Sequence, residues 1–476
     1  MNLRHIALAS AVVAAAPAFA ATGSLNTLYG VTAARTVYVS GASALSGSLA
    51  AAVGSLCTGG STNIKSHSIG GSTSDGRVIV CTTSGAGAAA GFTGPFAVVK
   101  RDTNGSFDGV GPVIAGTALT KWANVNNCDS TALTCALDST TAIVPHGGLS
   151  DVETAVWRGL NATGALSQAV PNPTGITLEK GFAAQGFGVM VSEELYKAMQ
   201  TVQKADGRIA STCTVGDFTT GACQPTISKA EYGSIVRADN FAYLSNVGLT
   251  GTANPINICR RVETSGTQAT SNVHNLANAC ANASPTFGAV APKAVDLVNS
   301  PTAVSWSTSA GNAVTGNYDD FGGALGLFEG SGTGDARNCV IRRNNGNNPN
   351  NVADSLGKYA IGWISLENAP ASGWKYVKLD NVSPNFKADG TADANRRANV
   401  ARGQYEAMFE FELLYPTSSS FAGFFGALKG AFSDPTVLNT AGIVVAPGAF
   451  SYTTNPDHVA KGTRGGNSCA PQSLAE

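Results

Sequence analysis

Short apolar segments that end in small-residue turns and continue with helical spacing recur along this chain. Residues 36–40 (TVYVS) predict a buried strand, the turn 41–44 (GASA) follows, and residues 45–53 carry small and apolar side chains at helical spacing. Residues 187–191 (FGVMV) predict another strand before a helix with Leu195 and Met199 on one face. Strands that alternate with helices indicate an α/β fold, here with two lobes.

Other local patterns add to this α/β framework. Ser228 and Glu231 have the spacing of a capping box at the start of a helix, and residues 342–353 (RRNNGNNPNNVA) predict a polar loop. Further strands are predicted at residues 77–81, 96–100, 255–259, 359–364 and 376–379.

The first twenty residues have the pattern of a secretory signal peptide. Residues 1–5 include a basic residue, residues 6–16 are almost entirely apolar, and residues 18–20 (AFA) offer a small-x-small cleavage pattern. We therefore predict a signal peptide at 1–20, cleaved after Ala20, and a periplasmic or secreted protein. The apolar run is shorter than the ~20 residues of a membrane span, and no stable membrane insertion is predicted.

Charge and composition exclude several classes. The 476 residues include 30 Lys+Arg and 31 Asp+Glu, for a net charge of -1, which argues against a nucleic-acid partner. Only 13% of residues are charged and 43% are hydrophobic, the opposite of the composition of disordered chains.

The chain has ten cysteines, which is consistent with export to an oxidising compartment, where cysteines form disulfides by default. Neighbouring cysteines suggest the pairs Cys57–Cys81, Cys128–Cys135, Cys213–Cys223 and Cys259–Cys280, with Cys339 and Cys469 left, although connectivity does not follow from sequence alone. No CxxC occurs, and the five histidines show no metal-binding spacing, so no metal site is predicted.

Two strand exits are candidate anion sites, because backbone N–H groups at a helix N-terminus favour negative charge. The first is residues 260–269 (RRVETSGTQA), where a guanidinium, hydroxyls and a glycine converge; the alternative is an ordinary N-capped helix. The second is residues 147–153 (GGLSDVE), where Ser150 or Asp151 is alternatively a helix N-cap.

Dinucleotide and nucleophile motifs give no competing site. Residues 85–90 (GAGAAA) fit G-x-G-x-x-A, but an exported, disulfide-rich chain is a poor host for a dinucleotide. The sequence has no G-x-S-x-G elbow and no phosphate loop. We predict no cofactor and no enzymatic activity, with a phosphatase-like enzyme as a minor alternative.

Several motifs, in one order, resemble the periplasmic phosphate-binding proteins of ABC importers, within the type 2 periplasmic binding protein class. The matching islands are 39–44 (VSGASA), 105–110 (GSFDGV), 148–151 (GLSD), 258–267 (ICRRVETSGT) and 360–364 (AIGWI). The resemblance implies a two-lobed α/β fold with a hinge. It also implies a small oxyanion ligand, phosphate in the first instance, and an ABC permease as partner.

The resemblance also implies roles for individual residues. Arg261 is the charged partner of the oxyanion, and Ser106 donates from the opposite lobe. Asp151 accepts a proton from a partly protonated ligand, which disfavours a fully ionised one. The expected ligand-binding residues are Ser43, Ser106, Ser150, Asp151, Arg261, Glu263, Ser265, Gly266 and Thr267.

The chain departs from the family at three positions. Glu263 stands where the family has Asp, Thr264 where it has Gly, and Leu45 where it has a ligand-binding Thr. The predicted lobes are residues 21–185 with 395–476, and residues 186–394. These departures leave open a second interpretation, an exported surface or matrix protein that keeps the fold without a transport role.

Overall fold

The protein is described here from a computed structural model. It describes residues 21–83, 94–158, 161, 172–237, 255–277, 280, 302–307, 313–320 and 325–475. The predicted signal peptide, residues 1–20, and the glycine-rich segment 85–90 lie outside these residues.

Within the described ranges the fold is mixed α/β, and the predicted α/β class is confirmed. The strands are β1 Thr22–Gly23, β2 Thr36–Gly41, β3 Lys65–Ile69, β4 Ser72–Thr83, β5 Gly94–Arg101, β6 Trp122–Asp129, β7 Thr134–Asp138, β8 Gly147–Ser150, β9 Ile176–Ser192, β10 Thr226–Ile227, β11 Asn257–Arg261, β12 Thr302–Ser307, β13 Ala313–Asp319, β14 Leu327–Gly330, β15 Ala360–Ser365, β16 Trp374–Tyr376, β17 Lys378–Leu379, β18 Met408–Pro416, β19 Ile443–Val445, β20 Gly462–Thr463 and β21 Ser473–Leu474. The helices are α1 Leu25–Tyr29, α2 Ser46–Ser55, α3 Gly111–Ala115, α4 Glu193–Ala205, α5 Lys229–Arg237, α6 Gly266–Leu276, α7 Thr333–Asn344, α8 Ala398–Ala401 and α9 Ala422–Phe432.

Seventeen of these strands form one connected network in two halves that share β9. In the first half, β2 lies parallel between β5 and β8, and β18 joins β8 to β9. In the second half, β11 lies parallel between β14 and β15, and β15 pairs antiparallel with β9. Both halves thus contain the parallel three-strand unit that alternating strands and helices favour.

Each half has its own apolar core. In the first half, α2 and α9 pack on the sheet through fully buried residues such as Leu49 and Phe425. In the second half, Ile258 and Ile361 belong to a larger cluster with residues of α4 to α7. Helix spacing predicts these faces: in α4, Leu195 and Met199 are buried as expected.

Several local predictions are confirmed and others need correction. The capping box exists: Ser228 N donates to Glu231 Oε2 at 2.7 Å, and Glu231 N to Ser228 Oγ at 3.1 Å. Where a helix is expected after Asp151, the described residues that follow form a short 3-10 turn, Thr154–Val156. The polar loop expected from 342 begins later, because α7 continues to Asn344.

Five disulfides use all ten cysteines. The three short-range pairs suggested by sequence proximity are confirmed. The suggested Cys259–Cys280 pair is wrong: Cys259 bonds Cys339, and Cys280 bonds Cys469. The reason is packing, since α7 lies on β11 and brings Cys339 beside Cys259, a contact that sequence distance does not reveal.

The predicted lobe boundaries stay a prediction. Strand β9 belongs to both halves and crosses the predicted boundary between residues 185 and 186. No helix in the described ranges is long and apolar enough to cross a membrane.

Candidate functional site

Charged side chains collect where the parallel strands of the two halves end. Asp102 follows β5 and Asp151 follows β8, while Arg261 ends β11 and Glu367 lies just beyond β15. Arg261 interacts electrostatically with both Asp151 and Glu367. Ligands of open α/β sheets bind outside the carboxyl ends of the strands. We call this set the seam: Lys100, Asp102, Ser106, Asp151, Arg261, Ser265, Gly266, Thr267 and Glu367.

Arg261 is a buried cation of the seam, only 3% exposed. Its Nη1 donates to Thr333 Oγ1 at 2.8 Å and its Nη2 to the Ser331 carbonyl at 2.7 Å, which fixes the guanidinium plane. Its Nε has no hydrogen-bond partner among the described residues. Burial lowers the pKa of Arg261 to about 10, and nearby carboxylates oppose the shift. The guanidinium therefore stays charged at neutral pH and keeps a donor for an anion.

The amino end of α6 supplies further donors. Ser265 is the N-cap residue, its side chain makes no capping hydrogen bond, and α6 begins at Gly266. Ser265 and Thr267 are both buried. The first N–H groups of a helix have no acceptor within it, and the helix dipole favours a negative charge there. Two hydroxyls and these N–H groups thus follow Arg261 within six residues of the chain.

Ser106 and Asp151, from the first half, lie directly against that helix end. Ser106 Oγ donates to Asp151 Oδ2 at 3.0 Å. A Cβ built on Gly266 would lie only 2.3 Å from Asp151 Oδ2 and 2.3 Å from Ser106 Oγ. Nearby, Phe107 N donates to the Thr264 carbonyl at 3.1 Å, from one half to the other. A carboxylate of the chain itself therefore lies where the helix favours an anion.

Asp151 is itself in an unusual environment, 3% exposed and with Oδ1 lacking a partner among the described residues. Burial raises the pKa of Asp151 to about 6, against the hydrogen bond from Ser106 and the positive charges of Arg261 and Lys100. This carboxyl changes its charge close to neutral pH. It can accept a hydrogen bond from a protonated ligand.

Lys100 and Asp102 are seam residues that the sequence argument missed. Lys100 is fully buried, and its Nζ donates to Asp102 Oδ1 at 2.5 Å and to the Gly41 carbonyl at 2.7 Å. Ser46 Oγ also bonds the Asp102 carboxylate, at 2.6 Å from Oδ1. This network ties the turn after β2 to the end of β5. Consecutive charged residues at the end of a strand are unusual in a chain with only 13% charged residues. This pattern could have indicated the Lys100–Asp102 network from the sequence.

Glu367 is another seam residue that the sequence did not indicate, because no sequence motif marks its position. Ser365 Oγ donates to Glu367 Oε1 at 3.1 Å. Burial, together with the negative charges of Asp151 and Asp102, raises the pKa of Glu367 to about 8, against that hydrogen bond and the positive charge of Arg261. At pH 7 this carboxyl is mostly protonated and can donate a hydrogen bond.

Three expected ligand residues lie less directly in the seam. Ser150 is fully buried, and its Oγ accepts hydrogen bonds from Val152 N at 3.3 Å and Trp157 Nε1 at 3.1 Å, so it orders the turn that carries Asp151. Ser43 begins a 3-10 turn after β2 and is partly buried. Glu263 lies in the turn between β11 and α6 and is partly exposed. Their roles in binding stay predictions.

Leu45 stands where the family that the sequence resembles has a threonine. It is fully buried in the core of the first half, where an apolar side chain replaces the expected hydroxyl. No cluster of His, Cys, Asp or Glu in the described ranges is arranged to hold a metal ion.

No protein-family model and no curated protein matches this sequence. Among solved structures, the chain is similar to a phosphate ABC transporter substrate-binding protein with bound phosphate from Clostridium perfringens. The TM-score is 0.40 and the identity 11%, over 86% of this chain and 99% of that chain. A likeness this weak neither assigns a family nor transfers a ligand.

Proposed function

We propose that this protein reversibly binds a small oxyanion, with phosphate as the ligand that fits best, in the seam between the two halves of the sheet. One observation carries the proposal. Arg261 and Asp151 are each 3% exposed, and each has a polar atom without a partner among the described residues. Asp151 lies against the amino end of α6 and interacts electrostatically with Arg261. Burying charge without full pairing is costly, and such groups cluster at functional sites.

The chemistry of the seam favours a partly protonated oxyanion. Arg261 and the first N–H groups of α6 donate to its oxygens, and the Asp151 carboxylate accepts its proton. A fully ionised anion such as sulfate has no proton to give, so it faces Asp151 as an unpaired like charge. Hydrogen phosphate and hydrogen arsenate meet both requirements.

Ligand entry requires the seam to open. Ser106 and Asp151 lie so close to Gly266 that no ligand oxygen fits between them in this arrangement. Because β9 is common to both halves, we place the hinge there, with closure of the halves over the ligand as the binding step.

Within the cell envelope we propose a role in ABC-type uptake or in sensing, with a permease as partner. The alternative is an exported surface or matrix protein that keeps this fold without transport. The close contact of Gly266 with Asp151 favours that alternative, because the chain's own carboxylate already lies at the helix end.

Calorimetry with phosphate, arsenate and sulfate tests the proposal. We expect phosphate and arsenate to bind and sulfate to bind more weakly. Arg261→Ala should weaken phosphate binding by at least about tenfold, because a charged hydrogen bond is lost. Arg260→Ala is the matched control: this neighbouring arginine pairs with Glu329, with 2.9 Å between Nε and Oε1, and should leave the affinity unchanged. Absence of binding by all three anions would favour the alternative.

A further inference from the structure

A separate cavity lies at the other end of α6 from the seam. It has a volume of about 280 Å³. Its walls come from α6, from the start of β18 and from the C-terminal segment, which we define as residues 462–475. The residues that line it include Lys229, Val273, His274, Phe409, Arg464 and Gln472.

The C-terminal wall is held firmly in place. The Glu410 carboxylate accepts hydrogen bonds from Arg464 N at 2.9 Å and from Gly466 N at 2.5 Å. The disulfide Cys280–Cys469 then ties this segment to the chain just beyond α6. The cavity is therefore bounded by a fixed backbone.

His274 contributes a buried polar atom with no partner. The side chain is 4% exposed, its ring stacks on Trp363 with 5.6 Å between centroids, and Nε2 has no hydrogen-bond partner among the described residues. Burial, together with the positive charges of Lys229 and Arg464, lowers the pKa of His274 to about 3. The imidazole is neutral at pH 7, and its unpaired nitrogen is costly to bury without a ligand.

Positive charge and apolar surface share the remaining walls. Arg464 lies over the Phe409 ring at 5.1 Å, and its Nε donates to the Met408 carbonyl at 2.8 Å. Lys229 is exposed at the rim. Among the residues that line the cavity within the described ranges, Lys229 and Arg464 are the cations and Glu406 is the acidic residue. Arg464 also interacts electrostatically with Glu410 and Glu153.

The side-chain amide of Gln472 adds a second unmet hydrogen-bonding group. Both its Nε2 and its Oε1 are buried and lack partners among the described residues. On the apolar side, Val273 and Phe409 line the same space. One wall thus suits a charged, hydrogen-bonding group and another suits a hydrocarbon surface.

We propose that this cavity is a second binding site, which takes a small organic carboxylate. The carboxylate binds near His274, Gln472 and Lys229, and the apolar body of the ligand packs on Val273 and Phe409. The volume lies just under the ~300–1,000 Å³ of pockets for drug-sized ligands, which limits the occupant to a small molecule. The site is independent of anion binding in the seam.

Benzoate is the probe, because it combines a carboxylate with an apolar ring, and benzamide is its uncharged counterpart. Titrations use the full chain carrying Arg261→Ala, so that the seam is disabled, and follow the side-chain nitrogen resonances of His274 by NMR. We expect saturable binding of benzoate that shifts these resonances. Benzamide should bind about tenfold more weakly, since charged hydrogen bonds are the stronger ones.

Two substitutions in the same background localise the site. Lys229→Gln should weaken benzoate binding about threefold, because the cation is exposed and screened, while Lys65→Gln, an exposed lysine on β3, should have no effect. His274→Phe should weaken binding by about tenfold or more. The proposal is overturned if benzoate does not saturate, if benzamide binds equally well, or if Lys229→Gln matches Lys65→Gln. If His274→Phe does not fold, the proposal is still tested by the shift of the His274 resonances with benzoate and by the comparison of Lys229→Gln with Lys65→Gln.

Discussion

Replacing Gly266 with alanine adds a methyl group where the seam is tightest. The new Cβ would lie 2.3 Å from Asp151 Oδ2 and Ser106 Oγ, and 2.7 Å from Asp151 Cβ. Cβ atoms essentially never show contacts under 3.0 Å, so the nearest atoms must separate by at least about 0.7 Å, the difference between 2.3 and 3.0 Å. A new rotamer of Asp151 does not relieve the contact, because its Cβ is fixed to the backbone.

Two opposing effects set the size of the change in stability. Alanine favours a helix over glycine by up to about 1 kcal/mol. Overpacking a well-packed site costs about 1–3 kcal/mol. Ser106 is held by its hydrogen bond to Asp151, and this loop is also held by the bond from Phe107 N to the Thr264 carbonyl. We therefore expect Gly266→Ala to lower the free energy of unfolding by up to about 2 kcal/mol, the overpacking cost less the full helix gain.

Urea unfolding of Gly266→Ala and of a matched glycine measures this effect. Gly426 lies in helix α9, and a Cβ built there meets nothing within 4 Å, so Gly426→Ala should gain up to about 1 kcal/mol. If both variants gain stability equally, the close contact of α6 with Asp151 is refuted.

Two more predictions concern pH and disulfides. Burial raises the pKa of Asp151 from 3.8 to about 6, which corresponds to about 3 kcal/mol. The folded state binds this proton more tightly than the unfolded chain does, so the contribution is present below pH ~4 and is lost as the pH rises through about 6. The unfolding free energy of the wild type minus that of Asp151→Asn should therefore fall by up to about 3 kcal/mol between pH 4 and 7, and a constant difference contradicts the argument. Removing Cys280–Cys469, with 189 residues of separation, should cost up to about 5 kcal/mol in urea unfolding, against about 2–3 for Cys128–Cys135, with 7; equal losses contradict the loop-closure argument.

Local pattern was enough to place several elements of the α/β framework. The strand predicted at 36–40 corresponds to β2, and the strand predicted at 255–259 to β11, shifted by two residues. The capping box at Ser228 formed because its two hydrogen bonds join residues three apart. After Asp151 the prediction of a helix failed. There Thr154 N and Oγ1 donate instead to the distant carboxylate of Glu412, a contact that local spacing cannot anticipate.

Sequence motifs also singled out Arg261, Asp151, Ser106 and the start of α6, and the structure brings these residues together at the ends of parallel strands. Local spacing marks each of these positions separately, because the end of a strand and the turn or helix that follows it are close in sequence. That Ser106, Asp151 and the start of α6 meet is decided by the tertiary structure. For Lys100, the run of charged residues at the end of a strand was only a weak indication of a place in the seam.

The sequence by itself determined features that depend on residues a few positions apart: several strands such as β2 and β11, the capping box at Ser228 and the three short-range disulfides. Tertiary structure alone decided which strand ends meet. It placed Glu367 near Asp151, which lies more than two hundred residues earlier in the chain, and it joined Cys280 to Cys469. The physical reason is that burial and the resulting pKa shifts depend on neighbours in space, and packing of the two halves selects those neighbours.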